Sequence, residues 1–71
     1  MNRQPIHSEN IASAGYDEET QTMEVEFDQK GAVYRYRNVP KSEWDNFLNG
    51  QPSPGKYFYH HIRSSYPYFQ V

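Results

Sequence analysis

Gly31-Ala32-Val33-Tyr34-Arg35-Tyr36-Arg37-Asn38-Val39-Pro40 holds the clearest strand of the chain, and its two sides carry different chemistry. Side chains alternate across a strand with a period of two, so Tyr34 and Tyr36 share one side while Val33, Arg35 and Arg37 share the other. If the tyrosines build the core, the arginines face water. The stretch thus sets two expectations together: a sheet with an aromatic inner face, and a cationic surface outside it.

Working outward, Thr22-Met23-Glu24-Val25-Glu26-Phe27 alternates in the same way, with Met23, Val25 and Phe27 inward and both glutamates outward. The short Gly-containing connection Asp28 to Gly31 is of the kind that joins hairpin strands. Glu24 and Glu26 are then expected across from Arg35 and Arg37. Opposite charges on an antiparallel pair contribute roughly 0.2–1 kcal/mol, so ion pairing explains the arginines as readily as a ligand does. Upstream, a first strand runs from about Ser8 to Tyr16; because Ile11 and Tyr16 have opposite parity, it either buries both faces in part or, the favoured reading, carries a bulge near Gly15. Residues 1–7 are expected to form a flexible N-terminus, and residues 8–71 a single domain.

Downstream, Pro40 suits a first helical turn, where a missing N–H costs nothing. A helix to about Asn49 carries the apolar stripe Trp44, Phe47 and Leu48 at i, i+3 and i+4, with Glu43 in the early turn that the helix dipole favours for an acid. Ser53-Pro54 signals a second helix, to about Ser65. Phe58 and Ile62 form its inward pair, with Tyr66 beyond, while Lys56, His60 and Arg63 recur on another face. Tyr66-Pro67-Tyr68-Phe69 is expected to pack back as an extended segment. The order predicts an α+β fold, a three-stranded antiparallel meander followed by two helices packed on its tyrosine face.

At 71 residues the core is one layer deep, and seven tyrosines, four phenylalanines and one tryptophan supply much of its apolar surface. The absence of cysteine excludes disulfides and thiolate metal sites, and suits a cytoplasmic protein. No apolar run approaches the roughly 18 residues of a membrane span, and the first residues lack a signal-peptide core. The net charge of −2 conceals a division. Residues 1–31 hold two cations against seven anions, a net −5, whereas residues 32–71 hold five against two, a net +3. The basic second half points to an anionic partner, or equally to attraction between the two halves of so small a domain.

Tyr34 and Tyr36 followed by Val39-Pro40, the earlier run Ser8, Ile11, Gly15, Tyr16 and Asp17, and the later run Ser53, Gly55, Phe58, Ile62, Arg63 and Tyr66 together resemble the KTSC domain. This short module occurs at the C-terminus of some lysyl-tRNA synthetases and as stand-alone bacterial proteins. The resemblance covers roughly residues 8–68, with one departure at Tyr59, where many members carry Asn. It implies the fold, and the synthetase setting suggests RNA as the anionic partner.

The candidate binding residues are Arg35, Arg37, Ser53, Gly55, Lys56, His60 and Arg63. An anion seat is expected at the start of the second helix, where free N–H groups, the permissive Gly55 and the Lys56 charge converge, with His60 and Arg63 extending it; the alternative is that Ser53 caps the helix, Gly55 permits close packing against the first helix and Lys56 is solvated. His60 and His61 point about 100° apart on a helix and cannot chelate one metal as an i, i+4 pair does. No phosphate loop or thiol nucleophile is present, and Ser64-Ser65 has no evident base. The expectation is a non-catalytic binding module without cofactor or metal, taking RNA or another polyanion. The alternative is a protein-interaction module or homodimer built on exposed tyrosines and the aromatic tail.

Overall fold

The computed structural model describes residues 1–51 and 53–71, the side chain of Lys30 excepted. Five antiparallel strands lie in chain order: β1 (Arg3–Ser8), β2 (Ile11–Asp17), β3 (Thr22–Phe27), β4 (Val33–Tyr36) and β5 (Tyr68–Gln70). Helix α1 (Lys41–Leu48) and helix α2 (Pro54–Tyr57), which runs on into a wider π-type turn over Phe58–Ile62, lie between β4 and β5 in sequence. The α+β class and the two helices agree with expectation. The strand count does not, since the sheet has five strands rather than three.

Both additions are edge strands. At the N-terminus, expected to be flexible over residues 1–7, β1 instead pairs with β2 from Arg3 opposite Gly15 to Ser8 opposite Ile11, and Pro5 is tolerated because at a sheet edge one side of the backbone needs no donor. The aromatic tail returns as foreseen and takes its place beside β4, where the Val71 amide donates to Val33 and the Arg37 amide to Pro67, both at 2.8 Å.

The parity conflict in β2 is resolved by a bulge, not near Gly15 but at Ala12. Ile11 pairs with Phe27 and Ser13 with Glu26, leaving Ala12 as the extra residue. Ile11, Ala14 and Tyr16 thereby share the inner face. In the β3–β4 connection Gly31 adopts φ +61°, a conformation that costs glycine nothing.

The helices cover the face that presents Ile11, Ala14, Met23, Val25 and Tyr36, and close the core with Val39, Phe47, Phe58 and Ile62. Tyr36 is 3% exposed, and its ring meets Phe58 edge-on at 5.2 Å. Tyr34 is only half-buried. Of the expected α1 stripe, Phe47 is fully enclosed and Trp44 is half-buried, stacked on Tyr16 at 5.6 Å, whereas Leu48 lies at the surface. Glu43 does more than complement the helix dipole: it accepts hydrogen bonds from the hydroxyls of Tyr57 and Tyr66, joining α1 to α2 and to the returning tail. Burial, and then this carboxylate, push the Tyr66 phenol up to about 12.

Candidate anion-binding groove

On the uncovered face of the sheet, Glu24 lies between two arginines. Its carboxylate accepts from Arg35 Nε at 2.7 Å and from the Arg3 guanidinium, and only 3% of the residue is exposed. Arg3 also donates to Ser13 Oγ at 3.0 Å, and the Ser13 hydroxyl donates to Glu26 at 2.8 Å. Burial alone would raise the Glu24 carboxyl, but the hydrogen bonds and charges of Arg35 and Arg3 outweigh it and hold it below its ordinary value. The expected Glu24–Arg35 pair is therefore present. The Glu26–Arg37 pair is not: Val33 stands opposite Glu26, and Arg37 falls beyond the end of β4. Arg35 is committed to this network, and neither Arg35 nor Arg37 lines the cleft that the helix residues share.

At the start of α2 the Ser53 cap of the alternative reading is present, although Gly55 packs against β1 and its turn rather than against α1. The Gly55 amide donates to Ser8 Oγ at 2.8 Å and the Lys56 amide to Ser53 Oγ at 3.2 Å, so the donors meant for a ligand are spent on the protein. Gly55 is required by a close approach of β1, since a Cβ there would lie 2.4 Å from Ser8 Oγ and 2.9 Å from the Glu9 carbonyl oxygen.

The side chains beyond that seat do converge. Lys56, His60 and Arg63 line a cleft of about 340 Å³ between the second helix and the β1–β2 turn, floored by Ile11, Phe27 and Phe58 and bounded at one end by Glu9 and Asn10. The i→i+5 closure from the Arg63 amide to the Phe58 carbonyl (2.9 Å) widens the helix there, while His61 stacks on Tyr57 at 4.4 Å. A second cleft of about 500 Å³ shares Phe27 and Arg63 with the first and continues over Tyr34, Tyr36, Ser64 and Tyr68. Both volumes lie in the range of about 300–1,000 Å³ usual for ligand sites. The two clefts adjoin at Phe27 and Arg63, and side by side they give the groove a basic reach and an aromatic reach. Among the described residues, Lys56 and Arg63 make no ion pair, whereas Arg3 and Arg35 share Glu24 and Lys41 pairs with Asp45. The Arg63 guanidinium lies 5.0 Å from the Tyr59 ring centroid. No cluster of three or more metal-ligating side chains is found among the described residues.

The sequence profile described as the KTSC domain matches residues 7–66. The chain belongs to the KTSC domain family. A lysine–tRNA ligase of Trichormus variabilis is 42% identical over 59 residues, covering 79% of this chain and 10% of the ligase. A lysine–tRNA ligase of Nostoc punctiforme is 36% identical over 61 residues, again covering 10% of that protein. The chain thus spans about a tenth of the length of the ligases it matches. An uncharacterized protein of Stutzerimonas stutzeri is 41% identical over 58 residues, covering 82% of this chain and 79% of that protein. The crystal structure of a KTSC domain protein from Yersinia pestis superposes with a TM-score of 0.91 at 31% identity, covering 99% of this chain and 96% of that one.

Within this KTSC domain the central Tyr34 and Tyr36 serve the core and the groove together: Tyr36 is enclosed, and Tyr34 reaches the groove floor. Sequence reasoning missed Phe27 and Tyr68 as floor residues. Phe27 ends an alternating run that reads as core throughout, and nothing local says that β5 brings Tyr68 to within 5.3 Å of Tyr36.

Proposed function

We propose that this KTSC domain is a small, non-catalytic, cytoplasmic binding module that takes RNA or another anionic polymer in the groove beside its second helix. The observation that carries this reading is the grouping of Lys56 and Arg63, free of ion pairs among the described residues, with His60 in a cleft that adjoins an aromatic one. Charge compensation elsewhere sharpens the contrast, because Arg3 and Arg35 share one carboxylate on the opposite face of the sheet. The lysine–tRNA ligases among the relatives act on RNA as whole proteins, which supports RNA as the polymer to test first.

The test is binding measured across a range of salt. Each phosphate neutralised contributes about 0.7 to the slope of log affinity against log salt for a single strand, so the double substitution Lys56→Ala with Arg63→Ala should weaken binding and flatten that slope by about two contacts. Equal affinity and slope in the folded double variant refute the groove as the anion site. A second reading is a protein contact or homodimer, favoured by the exposed Tyr68, Phe69 and Val71 at the edge formed by β5. Binding that is indifferent to salt, with a doubled mass in gel filtration, would select it.

A further inference from the structure

Resting on that reading, we infer that the ligand is single-stranded nucleic acid held through its unpaired bases, with a base stacked on Tyr68 and the adjoining phosphate against Arg63. Tyr68 is 57% exposed, yet its ring is supported from within by Tyr36 at 5.3 Å and Tyr34 at 5.8 Å. A ring held on one side and open on the other is a stacking surface that needs no rearrangement to receive a planar ligand.

Arg63 is where the two reaches of the groove meet, because it lines both clefts. Cations on one side of that point and rings on the other match a chain in which charged phosphates alternate with flat bases. A duplex keeps its bases within the stack, and a sulfated polysaccharide has no aromatic face, so either would engage Lys56 and Arg63 and leave the ring floor unused. The Ser64 hydroxyl, in the same cleft as Tyr68, offers a hydrogen bond to a base edge without requiring one sequence.

The experiment compares four probes by fluorescence anisotropy: single-stranded oligouridylate and oligoadenylate of about ten nucleotides, an RNA duplex of the same length, and heparin. The single strands should bind tightest. Tyr68→Leu, which keeps apolar bulk against Tyr36 and Tyr34, should weaken single-strand binding about 5- to 100-fold and leave heparin unchanged, while Tyr68→Phe should bind like the wild type. A measurement that needs no variant is magnetisation transfer between tyrosine ring protons and base protons in the wild-type complex, which should be seen. If heparin and duplex bind through Lys56 and Arg63 as well as single strands do, and Tyr68→Leu changes nothing, the polyanion reading stands and the base-stacking inference falls. If none of the probes binds, both fall together.

Discussion

Glu24→Gln is the sharpest test of how the sheet is held. The carboxylate is 3% exposed and is shared by Arg35 at 2.7 Å and Arg3. A carboxamide offers one oxygen where two were used and turns an NH2 group toward a guanidinium that has nothing to accept with. Removing one partner of a buried ion pair costs about 3–5 kcal/mol when the other charge is trapped. Here the Arg3 and Arg35 side chains are 32% and 40% exposed and can turn toward water, so a cost nearer 2 kcal/mol is expected. A domain of this size shifts its midpoint by about 4–8 °C per kcal/mol, so Tm should fall by about 8–16 °C in thermal melts followed by circular dichroism. The pH dependence gives a second reading. The folded carboxyl lies below its ordinary 4.5, so its contribution is complete above that value and is lost as the pH falls through the lowered folded value. The gap between wild type and variant should therefore close in acid. A Tm within about 3 °C of wild type at neutral pH, the range of an ordinary surface change, or a gap that stays constant in acid, would refute the reasoning.

The central tyrosines should separate in stability: Tyr36→Ala should cost about 3–5 kcal/mol and Tyr34→Ala distinctly less, because the first ring is enclosed and the second borders the groove, as urea midpoints would show. Gly55→Ala should destabilise by about 1–3 kcal/mol through the clash with Ser8 Oγ and the Glu9 carbonyl, and adding Ser8→Ala should recover part of that loss; strict additivity of the two changes would disprove the contact. Burial pushes the Tyr36 phenol from 10.0 to about 12, and since the neutral form is the one favoured in the fold, its contribution is complete below 10.0 and is lost as the pH rises toward 12. That loss is of the order of 3 kcal/mol, and ultraviolet titration should show late phenolate formation coinciding with unfolding rather than a single early transition.

The sequence by itself determined the inner faces of β3 and β4, both helices with their buried Phe47, Phe58 and Ile62, and the return of the tail, because each rests on a local period or a local start signal. It also carried the Glu24–Arg35 pair, which follows once the hairpin register is set by the alternation. The tertiary structure alone decided the rest. Whether Pro5 ends a strand or sits harmlessly in one depends on whether that strand lies at an edge, and no neighbour in sequence encodes an edge. At the start of α2 the Ser53 cap on the Lys56 amide is local, but the Gly55 amide looks free until Ser8 arrives from the far side of the chain to accept from it. The groove is of the same kind: Lys56, His60 and Arg63 are spaced by the helix, but their aromatic counterpart is assembled from Phe27, Tyr34 and Tyr68 on three strands. Periodicity places a side chain on a face of its own element. Which faces then meet is settled by long-range packing, and that is where a binding surface is made.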